Sequence, residues 1–164
     1  MHKCSKIFFS VVLAVGILSG CAQQRTISTG VFPEAEYKAL PKEGTGIVKG
    51  QIFLKTVGGD VKYGAGIEVS LIPATSYSAS AWEAYQTNSK LTPPDPRVKE
   101  YSIRTQSDGT GNFEFRDVPP GRYYIGGEVT WQIPTQFGLS RQGGWVMSQV
   151  TAKNGSESKV IITK

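Results

Sequence analysis

Histidine and cysteine, which commonly act in catalysis or bind metals, occur only three times in this chain, all within its first 21 residues. The single histidine is His2, and the two cysteines are Cys4 and Cys21. These residue types serve in Cys–His and Ser–His–Asp catalysis and in zinc sites. The chemistry open to the protein therefore depends on whether its first 20 residues are kept.

The first 20 residues have the composition of a secretory signal peptide. Lys3 and Lys6 give a basic start, an apolar run follows over residues 7–18, and small residues come next. The run is too short for a membrane-spanning helix, which needs roughly 20 apolar residues. We predict a cleaved signal peptide over residues 1–20.

Leu18, Ser19, Gly20 and Cys21 follow one another at the end of this run. They resemble the lipobox of bacterial lipoproteins, in which cleavage before the cysteine is accompanied by its acylation. Ordinary cleavage that leaves a free thiol at Cys21 is the alternative. Each buried CH2 contributes about 0.8 kcal/mol, so two or more acyl chains would hold the protein on the bilayer. Ala22 stands where Asp retains many lipoproteins at the inner membrane, which favours the outer membrane, facing the periplasm.

A chain that begins at Cys21 would contain no histidine and no free thiol. This excludes Ser–His–Asp and Cys–His catalysis, zinc sites built on His or Cys, haem, iron–sulfur clusters and disulfides. Catalysis by a pair of carboxylates is not excluded, but the 13 acidic residues are scattered along the chain. We expect no catalytic residues, no metal and no cofactor. The formal charge of +5 falls to about +3 without Lys3 and Lys6, too little to indicate nucleic-acid binding.

Alternation of apolar and polar residues predicts seven short strands. In the first, one face carries Val48, Gly50, Ile52 and Leu54, and the other carries Lys49, Gln51 and Phe53. Short strands separated by turn residues are typical of an all-β sandwich. The seven predicted strands span residues 46–54, 67–71, 101–105, 113–116, 122–131, 144–151 and 158–163.

Two segments depart from this pattern. Residues 21–44 show little apolar periodicity and predict a flexible lipidated tether, although residues 31–32 or 37–40 could dock locally. Residues 77–97 form a long loop with a predicted short helix, in which Ser80 and Glu83 have the spacing of a capping box. A loop of this length either covers a sheet edge or binds something. The folded domain is predicted over residues 45–164.

The folded part carries motifs that identify its class. They are Gly46-x-Val48-x-Gly50, Val69-x-Leu71, Ser107-Asp108-Gly109-Thr110-Gly111-Asn112-Phe113-Glu114-Phe115 and Val118-Pro119-Pro120-Gly121-Arg122-Tyr123-Tyr124-Ile125. Together they resemble the carboxypeptidase regulatory-like domain, also called prealbumin-like or transthyretin-like. The resemblance covers nearly all of residues 46–164 and implies a seven-stranded Greek-key β-sandwich. It specifies a fold and no chemistry, and Ser107 stands where the family usually has Thr.

Two groups of residues are candidates for ligand contact. Trp82, Tyr85, Trp131 and Trp145 could form an aromatic platform for a sugar or peptide, or could simply pack in the core. Asp108 and its neighbours have some features of a calcium loop. A single carboxylate is too few for a cation that takes six or more oxygen ligands, so a plain turn is predicted.

The sequence therefore predicts a membrane-anchored, non-enzymatic lipoprotein of the cell envelope. It would act as a structural or protein-interaction module with a partner in the envelope, in addition to the lipid bilayer that Cys21 contacts. Two alternatives remain open. One is a lipoprotein that binds a glycan or small ligand, and the other is an accessory subunit of an envelope enzyme or transport complex.

Overall fold

The computed structural model describes residues 24–164, and most of its regular structure is β-strand. The predicted signal peptide, the lipobox and Cys21 lie outside these residues. The strands are β1 (Thr26–Ile27), β2 (Gly46–Lys55), β3 (Val61–Tyr63), β4 (Glu68–Pro73), β5 (Lys90–Leu91), β6 (Ile103–Gln106), β7 (Asn112–Val118), β8 (Gly121–Thr135), β9 (Gly138–Ala152) and β10 (Glu157–Ile162). The helices are α1 (Glu34–Lys38), α2 (Ser78–Gln86) and a 3₁₀ helix at Pro96–Tyr101. No helix within residues 24–164 has the length and apolar character needed to cross a bilayer.

The larger strands form two four-stranded sheets. In the first sheet, β2 pairs with β10 in parallel and with β7 and β3 in antiparallel orientation. The second sheet is antiparallel throughout, in the order β6, β4, β8, β9. Each of the seven predicted strands overlaps one of these eight strands, and β3 was not predicted.

The core lies between the two sheets. Val48 and Ile52 of β2 and Val69, Leu71 and Ile125 of the second sheet are fully buried. The neighbours of Val48, Ile52, Val69 and Leu71 that lie within β2 and β4 are at least partly exposed, because successive side chains of a strand point to opposite faces. The all-β sandwich predicted from this alternation is confirmed.

Gly50 lies on the apolar face of β2 at a point where the neighbouring atoms leave no room for a side chain. A Cβ atom at this position would lie 2.1 Å from the carbonyl oxygen of Val160 and 2.6 Å from the ring of Phe113. Both distances are far below van der Waals contact, so only glycine lets β2, β10 and the Phe113 ring approach this closely.

The segment that precedes β2 corrects the predicted tether. Phe32 and Tyr37 are buried and stack with their ring centroids 4.5 Å apart, and the Tyr101 centroid lies 4.9 Å from that of Tyr37. β1 pairs in parallel with β5, through Ile27 and Leu91. The prediction of a flexible tether is therefore wrong for residues 26–40, which dock, as the sequence left open for residues 31–32 and 37–40, onto the segment of residues 75–101 that links β4 to β6.

A buried hydrogen-bonded junction joins this segment to the start of α2. The Thr75 hydroxyl donates to the phenol oxygen of Tyr37 at 3.0 Å. The Thr75 amide donates to the Ser78 hydroxyl at 2.8 Å, and the Ser78 amide donates back to the Thr75 hydroxyl at 3.1 Å. This reciprocal pair of hydrogen bonds closes the turn that leads into α2, whose N-cap residue, Tyr77, makes no side-chain capping bond.

The capping box predicted at Ser80 and Glu83 is wrong, because α2 begins at Ser78, before Ser80. Ser80 lies inside the helix, where its hydroxyl donates to the Tyr77 carbonyl, and the Glu83 carboxylate pairs with Arg25. The short helix predicted in the long loop is confirmed as α2.

β8 and β9 are longer than predicted and form a two-stranded arm. Pairing between β4 and β8 ends at Gly127, and beyond it residues 128–135 pair, within the described chain, with 138–145 alone. Three apolar side chains near the tip are exposed, namely Ile133, Phe137 and Leu139. The predicted strands stopped short because residues 132–143 are mostly polar or glycine and show little alternation.

The Asp108 turn is held by hydrogen bonds to its carboxylate. Asp108 Oδ1 accepts from the amides of Thr110 and Asn112 and from the Thr110 hydroxyl, and Oδ2 accepts from Asn112 Nδ2. These contacts, that of the Asn112 side chain foremost, lower the pKa of Asp108 from 3.8 to about 2. The carboxylate acts here as a turn residue.

Replacing Tyr37 tests the docking of residues 26–40. We expect Tyr37→Ala to lower the free energy of unfolding by about 3–5 kcal/mol, because it removes a buried aromatic ring. Val31→Ala is the matched control, since Val31 is 93% exposed and its loss should cost no more than about 0.5 kcal/mol. Urea unfolding measures the free energy of unfolding of both variants. Equal effects of the two substitutions would contradict the docking and favour a flexible tether.

The Asp108 turn predicts a pH-dependent contribution to stability. A carboxyl group with a lowered pKa in the folded state stabilises the fold above its unfolded pKa, and this contribution is lost as the pH falls through the folded value. We expect Asp108→Asn to lower Tm at pH 7, and the gap from the native protein to close between about pH 4 and about pH 2.

Thermal melts across this pH range measure the gap. Asp60→Asn is the control, because the Asp60 side chain accepts no hydrogen bond from residues 24–164. A gap for Asp108→Asn that stayed constant with pH would contradict the role of the carboxylate charge.

Candidate functional site

A cleft of about 750 Å³ lies between α2 with its following loop and the outer part of the second sheet. Ala81, Ala84, Tyr85, Leu91 and Pro94 line the wall that the loop supplies. The long loop therefore forms one side of a cavity.

The opposite wall comes from β8 and β9. Trp131, Trp145 and Met147 line it, together with Gly143 and Gly144. Trp145 is 55% exposed, whereas Trp131 is half-buried and packs partly against the core. Trp145 thus offers the more accessible aromatic surface.

Three of the four predicted aromatic residues lie together in this cleft. They are Tyr85, Trp131 and Trp145. Trp82 is not in the cleft lining. Its ring stacks on Tyr124 of β8 with centroids 5.5 Å apart and planes 17° from parallel, and it lies 5.7 Å from the Tyr85 ring. Trp82 therefore packs α2 onto the sheet and contacts the Tyr85 ring.

Gly143 lets Trp131 take its position. A Cβ atom at Gly143 would lie 2.2 Å from the Val129 carbonyl oxygen and 2.9 Å from the Trp131 ring, and the Gly143 backbone has φ of +92°. Glycine adopts positive φ without steric cost. The indole can therefore lie directly against the backbone of β9.

Polar groups complete the cleft, and several were missed from the sequence. Lys55, Asn88, Ser89 and Lys164 line it beside the aromatic rings. The Lys164 ammonium lies 5.4 Å from the centroid of the Tyr85 ring, within the range of a cation–π contact. These residues come from three distant parts of the chain, so their spacing gave no signal. The adjacent Gly143 and Gly144 before Trp145 were the one local sign of a close approach.

Carboxylate side chains are absent from the cleft lining among the described residues. Two glutamates on the elements that form its walls, Glu83 of α2 and Glu128 of β8, are each paired with an arginine, Glu83 with Arg25 at 3.2 Å and Glu128 with Arg141 at 2.9 Å. Within residues 24–164, no three His, Cys, Asp or Glu side chains converge so that they could hold a metal ion.

A second cavity of about 450 Å³ lies near the end of α1 and is a poorer candidate. Its aromatic residues include Tyr37 and Tyr123, which are buried and are each at most 5% exposed to solvent. The Tyr123 hydroxyl donates to the Pro119 carbonyl at 2.9 Å, and the Tyr37 phenol accepts from Thr75. Both hydroxyls are thus already engaged within the fold.

Sandwich and cleft together define a β-sandwich protein with an aromatic-lined cleft beside an edge strand. No protein-family model matches the chain, and no curated protein matches it significantly. Among solved structures, the chain is similar to a Pseudomonas aeruginosa protein described as a putative carbohydrate binding protein. The two are 33% identical, the match covers 81% of this chain and 97% of the other, and the TM-score is 0.70. The chain belongs to the same family as that protein.

Proposed function

We propose that this protein is a non-enzymatic carbohydrate-binding protein of the cell envelope. The observation that carries the proposal is the convergence of Tyr85, Trp131 and Trp145 in one cleft with Asn88 and two lysines. Sugar rings present apolar C–H faces and polar hydroxyl edges. Aromatic rings beside a few polar groups suit such ligands, because the rings cover the apolar faces and the polar groups orient the hydroxyls.

The relative supports the same choice among the alternatives that the sequence left open. Its description names carbohydrate binding, and the match spans nearly the whole of its chain. The cleft has the volume typical of ligand sites, which is about 300–1,000 Å³. Binding without catalysis fits a described lining that has no carboxylate and no histidine to act as acid or base.

Anchoring through an acylated Cys21 remains part of the proposal. The Gln24 side chain donates to the Asn88 carbonyl at 2.8 Å, so the start of the described chain lies beside the cleft. Three residues span at most about 10 Å, so an acyl anchor at Cys21 would hold the cleft close to the membrane surface. We propose the outer membrane, with the domain facing the periplasm.

The finer fold assignment also belongs to this proposal. A Greek-key, prealbumin-like sandwich of seven principal strands accounts for the motifs at residues 107–115 and 118–125. The mixed pairing of β2, parallel to β10 and antiparallel to β7, is compatible with such a topology.

A second candidate function is that of a protein-interaction module or accessory subunit. The feature that favours it is the tip of the β8–β9 arm, where Phe137 and Leu139 are 91% and 70% exposed. Exposed apolar side chains that cluster can mark an interaction surface. Failure of every glycan to bind the cleft would favour this function over carbohydrate binding.

Mass analysis tests the anchor. We expect the intact mass of the membrane-extracted protein to correspond to a chain that begins at Cys21 and carries diacylglycerol and an amide-linked acyl chain. A mass that includes residues 1–20, or that lacks fatty acid, would contradict the proposed anchoring.

Tryptophan fluorescence tests carbohydrate binding. Titration of the detergent-solubilised protein with a panel of neutral and acidic oligosaccharides should give saturable quenching, because Trp131 and Trp145 line the cleft. We expect Trp145→Ala to weaken the binding at least about tenfold, as for removal of a central aromatic contact. Tyr63→Ala is the control, since Tyr63 is similarly exposed, at 49%, on a strand outside the cleft. Equal effects of the two substitutions would contradict the assigned site.

A further inference from the structure

Two lysines bring positive charge to one end of the cleft. β2 and β10 run parallel, with Ile52 opposite Ile162, so the C-terminal ends of both strands lie at the same end of the sheet. Lys55 is the last residue of β2, and Lys164 follows two residues after β10. Both residues line the cleft.

The charge of these lysines is not balanced by nearby carboxylates. Glu83 and Glu128, on the two walls, are each engaged by an arginine. No carboxylate among residues 24–164 lies within ion-pair distance of Lys55 or Lys164, although ten other ion pairs form in this part of the chain. The side chains that line the described cleft therefore carry a net positive charge.

The Lys164 ammonium is also held close to the aromatic surface. It lies 5.4 Å from the centroid of the Tyr85 ring, in a cation–π contact. A sugar ring lying beside Tyr85 would thus meet a cation next to its own edge. A carboxylate on that edge would replace water around the ammonium.

We propose that the cleft selects acidic glycans, in which uronic acid carboxylates pair with Lys55 and Lys164 while the sugar rings lie against Trp131 and Trp145. This inference rests on the proposed carbohydrate-binding function and specifies its ligand class. Because both lysines are exposed, each pair contributes modestly, about two- to fivefold in affinity, and is screened by salt.

A matched pair of ligands isolates the role of charge. Tetragalacturonic acid and its fully methyl-esterified form share the same sugar skeleton and differ in the carboxylates. We expect the acid to bind the detergent-solubilised protein about tenfold more tightly than the ester at low salt. The difference should shrink as NaCl is raised from about 20 mM to about 500 mM, because salt screens exposed charges.

Charge-removing variants assign the effect to the cleft. Lys55→Gln and Lys164→Gln should each weaken binding of the acid about two- to fivefold more than they weaken binding of the ester. Lys153→Gln is the control, because it removes the same charge from an exposed turn outside the cleft lining. It should leave both affinities unchanged.

The outcomes separate this inference from the function on which it rests. Equal affinities for acid and ester, or a loss with Lys153→Gln as large as with Lys164→Gln, would overturn the selection of acidic glycans and leave carbohydrate binding in place. Absence of saturable binding by both ligands and by the neutral panel would overturn both.

Discussion

The buried junction of Tyr37, Thr75 and Ser78 is the contact on which the cleft depends. It joins three parts of the chain, namely the N-terminal segment, the end of β4 and the start of α2. The Thr75 and Ser78 groups close the turn that precedes the helix. The direction of α2 from this point carries Tyr85 over the second sheet, where it faces Trp145 across the cleft. Loss of the junction would leave the sandwich intact and remove one wall of the site.

The sandwich could be predicted from the sequence because its signals are local. Phe113 and Phe115 alternate with polar residues, and Val48 and Ile52 lie an even number of positions apart on one face of β2, so this spacing assigns both pairs to a buried face. The docking of residues 26–40 could not be predicted in the same way. Its apolar residues are few and irregularly spaced, and Tyr37 is stabilised by partners about 40 or more residues away.

The candidate site could likewise be predicted only in part. Aromatic residue type was enough to propose Tyr85, Trp131 and Trp145, but not to separate them from Trp82, which packs α2 onto the sheet. Which aromatic residues face a cleft depends on how a loop crosses a sheet, and this is not encoded in local spacing. The charged end of the cleft, with Lys164, follows from the parallel register of β2 and β10, and register across more than 100 residues has no signature in the sequence.

The central claim is that an acidic sugar lies between α2 and the β8–β9 strands. The three tryptophan indole N–H groups provide separate reporters of this claim in a ¹H–¹⁵N NMR titration with tetragalacturonic acid. We predict saturable shifts of the Trp131 and Trp145 signals at the same ligand concentration, with a much smaller shift of the Trp82 signal. Saturable shifts confined to Trp82 or to residues outside the cleft, or no shift of any indole signal, would contradict the account.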